Sequence, residues 1–166
     1  MFVVCCFLLL TCGTGCTSNK SEFEKSAGNL KAEIEYVYSF FKQMHNAYPK
    51  TTAEKWCKQN KSWRYTEKVL LGGGYYVKTK NKSFCINRID FGEHYFEVNV
   101  MSKTYEDVCQ TLTDIFGSPD YTGTNSNGVN YCTWNECDSI VNEITVYGDL
   151  LLTTIWFEDA EFWSDF

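Results

Sequence analysis

The sequence predicts an α+β fold in which one long N-terminal helix packs on an antiparallel, disulfide-stabilised sheet. Three observations predict it. Seven apolar residues, Phe23, Ala27, Leu30, Ile34, Val37, Phe41 and Met44, recur at intervals of four and three, which puts one apolar stripe on a single helix. Beyond residue 63, short runs rich in β-branched and aromatic residues are separated by Gly, Asn and Asp, the punctuation of antiparallel strands. Five cysteines, Cys57, Cys85, Cys109, Cys132 and Cys137, follow an apolar leader, and cysteines of an exported chain read first as disulfide partners.

The chain opens on MFVVCCFLLLTCGTG, an apolar run without the basic residues of a standard secretory signal and too short for a membrane span of about 20 residues. Cys16 follows Gly13, Thr14 and Gly15 and precedes the polar run TSNKSE. This resembles a bacterial lipoprotein signal with Cys16 as the lipidated residue; Cys12 is a second candidate. Residues 1–16 are therefore read as a signal peptide or lipoprotein leader, and 17–166 as a single α+β domain large enough to bury a core of its own.

Within that domain Ser21 and Glu24 match a capping box at the start of a helix over 22–46, about 37 Å long, which Pro49 prevents from continuing. Tyr36, Tyr38 and Phe40 widen its apolar face, as burial under a sheet requires. Thr51 and Glu54 match a second capping box, opening a short helix near 52–59. Residues 63–82 read as two strands around Gly72, Gly73 and Gly74, or as one strand with a bulge, ending in an exposed basic tip at 78–82. A hairpin is expected over 83–90 and 94–101, with Tyr95, Glu97 and Asn99 on one face and His94, Phe96, Val98 and Val100 on the other. Ser102 or Thr104 caps a helix that carries Val108, Leu112 and Ile115 inward and stops at Gly117 and Pro119. Residues 120–129 read as a loop and 129–134 as a strand. A hairpin over 140–147 and 151–158 closes the fold. The tail after it mixes acids with Phe162, Trp163 and Phe166, a candidate interface.

Charge divides sharply along the chain. Residues 1–89 carry 14 basic and 6 acidic side chains, whereas 90–166 carry 1 basic and 15 acidic, for a net charge of −6. The two parts should attract each other within one fold or between neighbouring subunits. Nucleic acid is a poor partner for an acidic chain without a compact basic patch.

Little in the sequence points to catalysis. His45 stands near the end of the long helix, where the helix dipole favours it. His94, with Asp90 or Glu93, is the one grouping from which acid–base chemistry could be built, and it lacks a third ligand at a metal-binding spacing. The three consecutive glycines lack the phosphate-loop pattern, and Cys132 and Cys137 are four residues apart rather than the two of a redox motif. No catalytic residue, metal or cofactor is therefore expected. Asn60 and Asn81 each begin an Asn-x-Ser glycosylation pattern.

The segments YEDVCQTLTDIFG at 105–117 and VNYCTWNECDSIVNEITVYG at 129–148, placed after a helix and a sheet, resemble the globular part of type IVb pilins and their minor-pilin relatives. The resemblance implies a pilin-like body in which Cys109 bonds to Cys132 or Cys137, and it leaves Cys57 and Cys85 for a second bridge. The leader departs from the pilin pattern: it is short and holds no acidic residue where such pilins carry a glutamate and a long polymerising helix.

These readings converge on an exported, non-enzymatic surface protein, associated with pili or secretion, that acts by structure or interaction. Its partner would be another protein or itself, with a lipid anchor as an option, and its location the outer membrane, cell surface or periplasm. A small periplasmic or extracellular ligand-binding or inhibitor domain is the main alternative, and a hydrolase centred on His94 a minor one.

Overall fold

The computed structural model describes residues 20–68, 74–148 and 152–159. The leader with Cys12 and Cys16, the glycines Gly72 and Gly73 at which a turn or bulge is expected, and the tail bearing Phe162, Trp163 and Phe166 lie outside them.

The first correction concerns the helix. The apolar stripe is not carried by one long helix but by α1 (Glu22–Lys25) and α2 (Leu30–Met44). Between them Gly28 adopts φ +88°, a left-handed conformation that no helix interior accepts, and Asn29 caps α2 by accepting from the Ala32 N–H at 3.2 Å. Glu33, on the first turn of α2, fixes the break. Its carboxylate is fully buried and accepts from the N–H groups of Gly28 (2.8 Å), Cys85 (3.1 Å) and Ile86 (2.8 Å), tying the linker and the start of a strand to one side chain. Burial pushes the Glu33 carboxyl up, and the three backbone donors offset only part of that rise. The stripe still faces inward: Phe23, Leu30, Ile34, Val37, Phe41 and Met44 are all buried, from two segments instead of one.

Helix α3 (Pro49–Gln59) starts two residues before the expected capping box, because Pro49 takes the first helical position, where its missing N–H costs nothing. Helix α4 (Tyr105–Phe116) begins with a full capping box between Thr104 and Asp107 and ends at Gly117, φ +88°.

Eight strands form one antiparallel sheet: β1 (Trp63–Lys68), β2 (Gly74–Thr79), β3 (Ile86–Phe91), β4 (Tyr95–Val100), β5 (Tyr121–Thr124), β6 (Asn130–Asn135), β7 (Val141–Gly148) and β8 (Thr153–Asp159). Their spatial order is β1-β2-β3-β4-β8-β7-β6-β5, so the last strand lies at the centre beside β4. Strand β5 sits in a stretch expected to be loop. Its residues are all exposed, and its pairing comes from the hairpin it makes with β6.

Alternation along the strands gives the sheet two unlike faces. In register across it, Tyr75, Phe91, Phe96, Phe157, Ile144 and Trp134 share one face, together with Val77, Ile89, Val98, Ile155, Val146 and Cys132. All four helices pack on this face. Phe41 of α2 meets Phe96 (4.7 Å between ring centroids), Trp56 of α3 meets Trp63 (5.5 Å) and Phe91 (6.4 Å), and Phe23 of α1 stacks on Phe84 at 5.1 Å. The α4 end is fixed by the Trp134 indole N–H donating to the Gly117 carbonyl at 2.8 Å. Burying an aromatic side chain of this kind stabilises by about 2–3 kcal/mol, so the core lies in the layer between helices and sheet.

The second correction concerns sulfur. The five described cysteines are free thiols, so the fold is not disulfide-stabilised. Cys109 and Cys132 come nearest, with their Sγ atoms 3.1 Å apart, beyond the roughly 2.05 Å of a covalent bridge. Cys85 is buried in the core layer, Cys57 lies on α3, and the Cys137 thiol faces the Trp134 carbonyl at 3.5 Å. The unbroken helix and the cross-links on which the pilin-like expectation leaned are thus both absent among the described residues.

Candidate functional site

The opposite face of the sheet carries no described helix, and its residues form three rows. The middle row runs Thr66, Tyr76, Asp90, Glu97, Trp156, Thr145, Thr133 and Tyr121. The row on one side runs Arg64, Lys78, Arg88, Asn99, Thr154, Tyr147 and Tyr131; the short row on the other holds Tyr95, Glu158, Glu143 and Asn135. The hairpin alternation expected for Tyr95, Glu97 and Asn99 therefore places all three here.

Side chains on this face brace one another. Arg88 donates to both Asp90 oxygens at 2.6 Å, and its guanidinium lies 4.2 Å from the Tyr76 ring centroid. The Asp90 partner holds the Arg88 guanidinium above its ordinary value despite partial burial. Tyr95 and Trp156 stack at 4.9 Å with their planes 19° apart, on neighbouring central strands β4 and β8. The Thr145 hydroxyl donates to Glu143 at 2.7 Å and shares a hydrogen bond with Thr133 at 2.9 Å. Burial, then the nearby Glu143 and Glu158 carboxylates, push the Tyr147 phenol up, so it stays a neutral ring at physiological pH.

The face is electrically polar. Its described cations, Arg64, Lys78 and Arg88, lie on β1–β3; apart from Asp90, which Arg88 clasps, its described anions, Glu97, Glu158 and Glu143, lie on β4, β8 and β7. The strand order keeps residues 63–100 on one half of the sheet and 121–159 on the other, so all three of these cations lie on the first half, with Asp90 and Glu97 among them, and Glu143 and Glu158 lie on the second.

The histidines, cysteines and glycosylation patterns singled out in the sequence lie apart from this face. His94 pairs with neither Asp90 nor Glu93: its Nδ1 lies 3.4 Å from Asp159 Oδ2, at a long hydrogen-bond distance, and no hydroxyl or thiol contacts its ring among the described residues. That partner, 65 positions away, carried no local sequence signal. His45 follows the last residue of α2 and hydrogen-bonds to the Lys42 carbonyl at 3.0 Å, the helix-end role expected of it. Cys109, Cys132 and Tyr105 converge, the Tyr105 hydroxyl lying 2.8 Å from Cys132 Sγ. Burial first, then the Cys132 contact, push Cys109 up to about 12, and burial first, then Asp138, do the same for Cys137. These thiols stay protonated at neutral pH, the opposite of what a nucleophile or metal ligand needs. No group of three His, Cys, Asp or Glu side chains suited to a metal occurs among the described residues. Of the two glycosylation patterns, Asn60 is fully buried and accepts from the Ser21 hydroxyl at 2.5 Å, while Asn81 is exposed. A cleft of about 770 Å³ opens between the α4 start and the β5–β6 turn, rimmed by Lys103, Thr104, Asp107, Asn127 and Asn130. It is a polar surface cleft rather than an enclosed apolar cavity.

Sequence reasoning missed Tyr76, Tyr131, Tyr147 and Trp156 as a set. The signal was the alternation of aromatic with polar residues in the closing strands, legible only once strand order was known. Compared with known proteins, the chain matches no family model, no curated protein and no solved structure.

Proposed function

We propose that this chain is an exported, non-enzymatic interaction or structural protein of a cell surface, and that the sheet face opposite the described helices is where it binds. The observation that carries the reading is that face: six aromatic side chains, Tyr76, Tyr95, Tyr121, Tyr131, Tyr147 and Trp156, stand among charged and hydroxyl-bearing neighbours on a sheet face that none of the described helices covers. Aromatic residues with Arg among them are the composition of protein-binding surfaces, where large rings supply contact at low entropic cost. The protonated thiols, and a long His94–Asp159 contact with no nucleophile hydrogen-bonded to His94 among the described residues, favour binding over hydrolysis. The apolar leader supports export.

The test uses the full chain in its own cells. Trp156→Arg alters the centre of the face, and Glu54→Arg alters an exposed residue of α3 on the opposite side. Cross-linking in intact cells should recover protein adducts of the parent and of Glu54→Arg, and about tenfold fewer from Trp156→Arg, with all three in the envelope fraction. Equal adducts from the two variants, or recovery of the chain in the cytosol, would overturn the reading.

A further inference from the structure

We infer that the basic corner of the molecule where the N-terminal segment joins the body lies against an anionic lipid surface, and that this contact seats the domain on the membrane. Such a contact rests on the exported reading proposed above, because it is the leader that brings the chain to a membrane. The corner is made by the topology. Strands β1 and β2 pair with Trp63 opposite Thr79 and Arg64 opposite Lys78, and the Thr79 hydroxyl donates to the Ser62 carbonyl at 3.0 Å. The end of α3 and the turn after β2 thereby lie side by side. Lys58, Lys61, Arg64, Lys78, Lys80 and Lys82 all fall within four residues of that contact, and all six are exposed. None of them forms an ion pair with a described carboxylate.

Helix α1 packs into the same corner. The Ser21 hydroxyl donates to Asn60 at 2.5 Å, the Ser62 N–H donates to Glu24 at 2.9 Å, and the Phe23 ring lies 5.6 Å from Trp63. With α1 included, residues 20–25, 58–64 and 78–83 hold eight basic side chains and two acidic ones. Of those two, Glu22 is paired with Lys25 and Glu24 is engaged by the Ser62 backbone, so the corner keeps a large positive excess. The leader joins the body here. Cys16, the lipidation candidate, precedes Lys20 by four residues, a span of at most about 14 Å. A lipid on Cys16 therefore brings this corner, and no other part of the fold, next to the headgroups. A basic surface beside an anchor makes attachment stable, with about a fivefold gain in binding for each Lys or Arg held near an anionic bilayer. The aromatic part of the sheet face stays clear of it: β8 and β7, which carry Trp156 and Tyr147, lie four and five strand spacings from β1, about 19–24 Å away. One region can thus meet the membrane while another meets a protein.

The experiment uses the full chain as processed in the cell, mixed with vesicles of phosphatidylcholine alone or with about 30% phosphatidylglycerol. An uncharged acetylating reagent labels accessible amines, and mass mapping follows each lysine. Lys58, Lys61, Lys80 and Lys82 should be acetylated about fivefold more slowly on the anionic vesicles than on the neutral ones, and the difference should vanish in about 0.5 M salt. Lys50, exposed at the opposite end of α3 where Tyr48 meets Tyr75, should react equally on both. The triple variant Lys61→Glu, Lys80→Glu, Lys82→Glu changes exposed residues only, and far-UV circular dichroism checks that it folds; in it Lys58 should lose its protection. Equal labelling of the corner on both vesicles, or Lys58 protection that survives the triple variant, overturns the lipid contact. Protection by poly-glutamate but not by the vesicles also overturns it, and assigns the corner to an acidic protein. A protected corner with Trp156→Arg adducts unchanged sinks only the sheet-face reading, whereas an unprotected corner with those adducts lost sinks only the membrane contact.

Discussion

Asp138 shows how a single carboxylate holds two distant parts of the fold together. Its Oδ1 accepts from the N–H groups of Ile140 and Val141 at 2.8 Å each, which shapes the turn before β7. Its Oδ2 accepts from the Tyr38 hydroxyl at 2.5 Å and lies 3.1 Å from Lys42 Nζ, both on α2. Burial alone would raise the Asp138 carboxyl; the Tyr38 hydroxyl, the two backbone donors and Lys42 together outweigh it and hold the group well below the ordinary carboxylate value. A depressed folded value means that the unfolded chain takes up the proton first. The contribution to stability is therefore present above about pH 4, the unfolded value, and is lost as pH falls through the folded value. Asp138→Asn keeps an oxygen for the turn but presents an amide to Tyr38 and Lys42. It should cost about 1–2 kcal/mol at pH 7 by urea denaturation, and the gap should narrow below pH 4. A gap that stays constant from pH 7 to pH 2.5 would mean that the carboxylate charge is not what binds α2 to the turn.

At the level of elements, the break between α1 and α2 marks where the sequence stops being legible. A four–three stripe counts residues and not turns of helix, so it continues through Ser26–Asn29 although the backbone there does not. The local cues were present in Gly28 and in Asn29, a good helix cap, but the periodicity overrode them. The rest of the helical reading came from strong punctuation. Thr104, Gly117 and Pro119 bound α4, and Pro49 set the start of α3. The strand β5 had no such signal, because every residue in it is exposed and nothing alternates. The break itself is testable at Gly28. With φ at +88°, a Cβ there would be strained and would meet the Ser83 carbonyl oxygen at 3.3 Å, while the Gly28 N–H must still reach Glu33. Gly28→Ala should therefore lower stability by about 1–2 kcal/mol, measured as a reduced urea midpoint with unchanged slope. A continuous helix over 22–46 would be indifferent to the change or gain from it, since alanine is the better helix former.

The whole molecule is a single sheet with its core on one side, and its stability should be graded from the centre outward. Strand β8 is flanked by β4 and β7 and lies under α2, through Tyr38 and Phe41 against Phe157. Strand β1 forms one edge under α3, and β5 forms the other with all its residues exposed. That order was not legible in the sequence, because β8 reaches the centre only by pairing with β4 across α4 and two hairpins; neither local alternation nor turn residues encode it. Hydrogen exchange should accordingly find the β8 amides opening only with global unfolding and the β5 amides exchanging fastest among the strands. The same measurement separates two modes of self-association. Pairing through sheet faces adds no ladder partner to β1 or β5, so raising the protein concentration should not protect their outward N–H groups. Pairing edge to edge would convert those groups into ladder hydrogen bonds and slow their exchange as the concentration rises. Concentration-independent β5 exchange in a sample that self-associates would exclude the edges as the contact, and protection confined to β1 and β5 would place it there.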